Sequence, residues 1–74
     1  PMDTPPLDPS LPGVRLLQAW IREQSPISGE VMGAERLEGR LIWQDSEFLA
    51  IERSAGSRPT LVNRRQVCVI RSLG

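Results

Sequence analysis

In the segment from Arg36 to Gln44, mostly apolar positions alternate with mostly polar ones, as in a half-buried β-strand. A glycine lies near the centre of this segment. Period-two alternation places every second residue on the same face of a strand. One face then carries Leu37, Gly39, Leu41 and Trp43. The other face carries Glu38, Arg40, Ile42 and Gln44. A glycine inside a strand usually marks a sharp bend or a bulge, and small barrels need such bends to close. The segment therefore favours a strongly bent sheet.

The rest of the chain predicts one helix followed by short strands. Residues 11–24 are expected to form the helix, capped at Ser10 or Leu11 and ended by Ser25-Pro26. Its apolar residues recur at helical spacing and are expected to face the core: Val14, Leu17, Trp20 and Ile21. Besides the strand over 36–44, the alternation predicts strands at Ile27–Met32, Glu47–Arg53, Thr60–Val62 and Gln66–Ile70. One helix and about five short strands predict a mainly β fold, a small barrel.

The first ten residues have a different composition. Prolines occupy positions 1, 5, 6 and 9, which excludes a helix and disfavours a central strand. We expect residues 1–10 to form a flexible proline-rich tail and residues 11–74 to form one domain. Pro1, which precedes Met2, is expected to be a remnant of recombinant expression.

A chain of 74 residues is marginally stable alone and usually needs a disulfide, a metal or association. Cys68 is the only cysteine, so a disulfide within the chain is excluded, and with no histidine a zinc site is not expected. Association with other copies is the means of stabilisation that remains. We expect Cys68 itself to be a small buried hydrophobic residue.

Catalysis, cofactors and membranes are all disfavoured. The chain has no histidine or tyrosine, and its glycines follow no nucleotide-binding fingerprint. The sequence therefore predicts a protein that is not an enzyme, with no catalytic residue, metal or cofactor. It contains no run of about 18 apolar residues, so no membrane insertion is expected. A single thiol fits a reducing compartment, and we expect the protein in the cytoplasm.

Charge is balanced overall but unevenly distributed. All nine cations are arginines, against nine acids. Six acids lie between Glu30 and Glu52, whereas the segment from Arg53 to Gly74 has five arginines and no acid. Nucleic-acid-binding domains usually carry a basic excess, which this chain lacks as a whole. A local basic patch is possible near Arg58, Arg64, Arg65 and Arg71.

Two segments after the predicted helix resemble the signatures of Hfq, a branch of the Sm-like proteins, and of its cyanobacterial members most of all. The first signature has an apolar residue, a glycine and an aspartate, matched by Leu37, Gly39 and Asp45. The second is a tight turn, at Val62-Asn63-Arg64-Arg65, where other members carry Tyr-Lys-His. The resemblance covers about residues 11–71. It implies that residues 11–74 form an Sm-like domain, an N-terminal helix and a strongly bent five-stranded SH3-type barrel, assembled as a hexameric ring.

The resemblance also implies where the subunits meet. In the family the fourth strand of one subunit joins the fifth strand of the next. An unpaired strand edge is a template for another chain, and a head-to-tail contact closes into a ring if the rotation fits. The residues expected at this interface are Leu61, Val62, Val67, Val69 and Ile70. Each of them could equally belong to the internal core.

On the face of the family's ring that bears the helices, U-rich RNA binds around the pore. The positions implied for this site are Asn63, Arg64, Arg65, Ser46 and Glu47. Ser46-Glu47 replaces a Gln-Phe pair, so a stacking platform worth about 1–3 kcal/mol per base is lost. Arg64 and Arg65 supply cations that suit phosphate. The alternative for these two arginines is a solvated turn or a salt bridge between subunits, for example with Glu47.

The opposite, distal face binds A-rich RNA in other members, and the rim is a basic helix patch. The distal positions here are Glu30, Arg36, Leu37 and Thr60. The family's tyrosine is absent, and acids, including Glu35, stand where neutral groups are expected, so we expect no purine-tract binding there. At the rim only Arg22 keeps a cation.

Two functions from different classes follow. The first is a ring with weakened RNA binding that acts in post-transcriptional regulation or as a protein-interaction adaptor, for which the resemblance implies the cyanobacterial type IV pilus extension ATPase as partner. The second is an RNA chaperone that binds U-rich small RNAs at the pore face through Arg64 and Arg65. Glu30, Glu35 and Glu47 argue for the first, and the two arginines argue for the second.

Overall fold

The computed structural model of the protein describes residues 5–74. Part of the predicted tail, residues 1–4, lies outside the described residues. The elements are helix α1, strands β1 to β5 and a 3₁₀ turn between the last two strands. Helix α1 spans Pro12–Glu23. The strands are β1 (Pro26–Val31), β2 (Arg36–Gln44), β3 (Phe48–Glu52), β4 (Thr60–Asn63) and β5 (Val67–Ser72), and the 3₁₀ turn is Arg64–Gln66. The predicted order of one helix and five short strands is confirmed.

The five strands form one antiparallel sheet in the order β4-β3-β2-β1-β5. Its core is a cluster of five buried side chains contributed by four strands: Ile27, Leu41, Leu49, Ile51 and Val62. Two bulges bend the sheet, one in β2 and one in β5. A bulge adds an unpaired residue, kinks the strand and increases its twist.

The bulge in β2 corrects the predicted alternation. Leu41 pairs with Ile51 and Trp43 pairs with Ala50, so Ile42 is the extra residue. One added residue reverses which face each later side chain occupies. The simple alternation predicted that Trp43 lies on the same face as Leu41. Because of the bulge it does not, and its side chain is 41% exposed. Gln44 becomes half-buried on the inner side instead.

The bulge in β5 corrects the prediction for Cys68. Val67 pairs with Val31 and Val69 pairs with Glu30, which leaves Cys68 without a paired residue on β1. Its thiol is exposed rather than buried. The reason is its place on a bulge at the edge of the sheet, where no further strand covers it within the described residues.

Gly39 is required by a close approach between strands rather than by a bulge of its own. A Cβ atom built at Gly39 would clash with the backbone oxygen of Glu52 and would lie 2.9 Å from Cγ2 of Ile51. Both neighbours belong to β3, the strand paired with β2. The bend that the sequence indicated at Gly39 lies instead at the bulge three residues later, at Ile42.

Helix α1 packs its apolar stripe on the sheet as predicted. Val14 is buried, and Leu17, Trp20 and Ile21 pack against the core cluster. Leu11 holds the cap position without a side-chain cap, whereas Ser10 bonds to Asp8 in the preceding turn. The helix ends at Glu23, and the left-handed backbone of Gln24 lets the N–H of Ser25 donate to the carbonyl of Trp20 while the N–H of Gln24 donates to that of Ile21. Over residues 5–74 no helix has the length and apolar content needed to cross a bilayer.

Candidate nucleic-acid interface

Two turns lie side by side at one end of the sheet. Phe48 at the start of β3 pairs with Asn63 at the end of β4. This register places the Asp45–Glu47 turn against the 3₁₀ turn, and the N–H of Arg64 donates to the carbonyl of Glu47 at 2.8 Å. The resemblance implied a tight turn at the second of these positions, and the strand pairing explains why the two turns share one edge.

The first turn is held by the side chain of Asp45. Its Oδ1 accepts the N–H of Glu47 at 2.8 Å and that of Phe48 at 2.6 Å. The pKa of Asp45 is lowered, first by the bond from Phe48, then by the bond from Glu47, and also by the charge of Arg64. The carboxylate thus fixes the backbone of Ser46 and Glu47 in one shape.

Arg64 belongs to the internal structure of the site. Its Nη2 donates to Oε1 of Gln44 at 3.0 Å, and its Nη1 donates to the carbonyl of Asp45 at 3.1 Å. Gln44 in turn donates through Nε2 to the carbonyl of Val14 and to Oε1 of Gln18. These bonds connect helix α1, strand β2 and the 3₁₀ turn. Arg64 is therefore not the freely solvated turn residue that was one of its expected roles.

Four side chains line a single cleft between the two turns, which we call the turn cleft: Ser46, Glu47, Asn63 and Arg65. Oδ1 of Asn63 accepts the N–H of Arg65 at 2.9 Å, so its amide nitrogen remains as a donor. Glu47, Asn63 and Arg65 are exposed, and Ser46 is half-buried. The turn cleft therefore contains a carboxylate acceptor beside two donors.

The predicted distal residues are only partly brought together. Glu30 and Arg36 are directly paired across β1 and β2, and Leu37 packs against the core. Thr60 lies on β4, the strand at the opposite edge of the sheet, where it pairs with Ile51 of β3. The same face has a groove lined by Ser28, Glu30, Arg36, Glu38, Arg71 and Leu73. Two acids and two arginines line this groove, so the acids of this face lie close to cations.

The residues predicted for the subunit interface lie on the two outermost strands, β4 and β5. Val62 is buried in the core, and Val67 and Ile70 pack against it. Leu61 and Val69, also on these strands, are 50% and 39% exposed. The rim residue Arg22 is exposed in the last turn of α1.

Gln44 is the site residue that sequence reasoning missed. The simple alternation placed it on the same strand face as Glu38, Arg40 and Ile42. Only the bulge at Ile42 turns it towards Arg64 and the helix. Among residues 5–74, no three or more Cys, Asp or Glu side chains are grouped so as to hold a metal ion.

One helix and a bent, five-stranded antiparallel sheet with these adjacent turns define an Sm-like protein. A family model described as Hfq related matches residues 11–72. The crystal structure of an Hfq protein from Anabaena sp. is similar to the chain with a TM-score of 0.74 and 25% sequence identity, covering 85% of this chain and 98% of that one. A comparison with curated protein sequences gives no significant match. Because the family model spans most of its length, the chain belongs to the Hfq-related family.

Proposed function

We propose that the chain forms a homo-oligomeric ring that binds single-stranded RNA weakly through its turn clefts and acts in post-transcriptional regulation in the cytoplasm. Membership of the Hfq-related family supports this proposal, since Hfq proteins generally form homo-oligomers and bind RNA. The role is binding rather than catalysis.

The ring is supported by the edges of the sheet. β4 and β5 are its terminal strands, so each has one edge that no strand formed by residues 5–74 pairs. Exposed edges invite pairing with another chain, and pairing β4 of one copy with β5 of the next would cover Leu61 and Val69. Such a head-to-tail contact closes a ring, for which the resemblance to Hfq implies six copies.

The observation that carries the RNA assignment is the different environment of the two arginines. Arg64 is bonded to Gln44 and Asp45, whereas Arg65 is exposed at the turn cleft beside the free amide donor of Asn63. Arg65 is therefore the cation available to a phosphate or a base. No aromatic side chain lines the turn cleft and Glu47 adds a carboxylate, so we expect weak, salt-sensitive binding.

A salt series with short uridine-rich RNA tests this proposal. Binding is followed by fluorescence anisotropy from about 50 to 200 mM salt, where each phosphate contact to a single strand contributes about 0.7 to the slope of log K against log salt. We expect Arg65→Ala to lower both affinity and slope. Arg53→Ala, which removes an equal charge from an exposed residue directly after β3, is the control and should change little. Equal losses in the two variants would contradict the proposal.

A second candidate is the adaptor function, with a protein partner such as the pilus extension ATPase. It is favoured by Leu11 and Leu16, each 52% exposed beside an apolar groove along α1. Exposed apolar patches often mark protein-binding surfaces.

The test of the adaptor function is capture of that ATPase from a cell extract treated with RNase. Capture should be lost with Leu16→Glu and kept with Arg22→Glu; capture that disappears with RNase would contradict a direct contact.

A further inference from the structure

We infer that the turn cleft selects guanine over uracil, an inference that rests on the proposed RNA binding at this site. The cleft is lined by Ser46, Glu47, Asn63 and Arg65, and its hydrogen-bonding groups are unevenly divided. One side chain, Glu47, offers only acceptors, and two others offer donors. The four bases differ in the donors and acceptors along their edges, so a site with this arrangement can distinguish them.

The donors of the turn cleft are fixed by the local structure. Asn63 uses its Oδ1 to accept the N–H of Arg65 at 2.9 Å, which leaves the Nδ2 group to donate outward. The guanidinium of Arg65 can only donate. Both groups therefore suit an acceptor on the base, such as the O6 atom of guanine.

The acceptor is Glu47, and its two carboxylate oxygens can accept two parallel N–H groups. Its backbone is held by Asp45, which bonds its N–H, and by Arg64, which donates to its carbonyl. The Arg64 guanidinium is occupied by Gln44 and Asp45 and so does not neutralise Glu47 by direct bonding. The carboxylate is thus left to a ligand.

Guanine is the only one of the four bases with two adjacent donors on its Watson–Crick edge, N1–H and N2–H, next to an acceptor, O6. Uracil presents one donor, N3–H, between two carbonyl oxygens, which would face the carboxylate unfavourably. Adenine and cytosine each place a ring acceptor beside their amino group. Unstacked bases are recognised on these edges in single-stranded RNA, and an unmatched polar group is costly.

Three six-nucleotide RNAs separate the possibilities: alternating adenosine with guanosine, inosine or uridine. Anisotropy is measured at about 50 mM lithium salt, which prevents guanine quadruplexes. We expect guanosine to bind at least about tenfold tighter than uridine, because a bidentate base contact discriminates at about that level. Inosine, which lacks the N2 amino group, should fall between them.

Glu47→Gln is the decisive variant, because an amide offers one acceptor and one donor and so matches O4 and N3–H of uracil. We expect it to abolish or reverse the preference for guanosine. Glu23→Gln, which removes an exposed acid on α1, should keep the preference. Detectable binding with uridine equal to or tighter than guanosine, or a preference unchanged in Glu47→Gln, would overturn the inference alone. Binding to none of the three RNAs would overturn the proposed function as well.

Discussion

Two neighbouring arginines, Arg64 and Arg65, show how different the environments of identical residues can be. The backbone N–H of Arg64 holds the carbonyl of Glu47, and its guanidinium joins Gln44 to the carbonyl of Asp45. Arg65 takes part in the turn through its N–H, while its side chain remains exposed in the turn cleft. At this scale, one arginine holds the site together and the other is available to ligands.

The first prediction separates these two roles. Arg64→Ala leaves the half-buried Oε1 of Gln44 without its donor, and we expect a loss of about 1–2 kcal/mol in the free energy of unfolding. Arg65→Ala should change this free energy by less than about 0.5 kcal/mol, since it is a surface substitution. Urea unfolding at one fixed chain concentration measures both. A larger stability loss in Arg65→Ala than in Arg64→Ala would contradict the assignment.

The second prediction concerns pH and Asp45. The pKa of this carboxyl is lowered in the folded chain by the N–H groups of Phe48 and Glu47, so folding favours its ionised form. Its stabilisation is complete above the unfolded carboxyl pKa of about 4 and is lost as pH falls through the lower folded value. Asp45→Asn keeps an oxygen acceptor but cannot ionise.

The difference in unfolding free energy between the native chain and Asp45→Asn should therefore be constant from about pH 7 to 5 and shrink below about pH 4. Chemical unfolding across this range measures it. A difference that widens as the solution becomes more acidic would show that the ionised carboxylate is not the stabilising form.

At the scale of elements, strand β2 shows what the sequence could and could not predict. Alternation correctly indicated a strand over Arg36–Gln44, because its period is a local property of the chain. The bulge at Ile42 has no such local signal, since it depends on how β2 pairs with β3. It exposed Trp43 and turned Gln44 inward to Arg64, so the hydrogen-bonded connection between helix and turns could not be predicted. The exposure of Cys68 has the same origin in β5.

The third prediction tests the close approach of β2 to β3. Gly39→Ala would force its Cβ against the backbone of Glu52, which cannot move like a flexible side chain, and we expect a loss of about 1–3 kcal/mol in the free energy of unfolding. Gly13→Ala in α1 is the matched control, because a Cβ there meets no atom within 4 Å. It should change the free energy of unfolding by less than about 0.5 kcal/mol, since it is a surface substitution in the first turn of the helix. Thermal unfolding of both variants checks this, and a neutral Gly39→Ala would show that the strands can separate without cost.

At the scale of the whole molecule, the chain has a small core and two open edges. The core cluster contains five buried side chains, while Leu61 and Val69 remain exposed on the outermost strands. The short length and the lack of disulfides or histidine predict that the chain associates with other copies. The strand order then identifies β4 and β5 as the edges available to a neighbour. The distal residues Glu30 and Thr60 lie towards opposite edges of the sheet of one chain.

The most direct test is the mass of the native assembly at micromolar chain concentration, by native mass spectrometry or sedimentation equilibrium. If β4 of each copy pairs with β5 of the next in a closed ring, the dominant species should have six times the 8.3 kDa mass of the chain. Leu61→Asp, placed on the exposed edge of β4, should shift the population towards smaller species. A folded 8.3 kDa monomer as the main species of the unaltered chain would contradict the account.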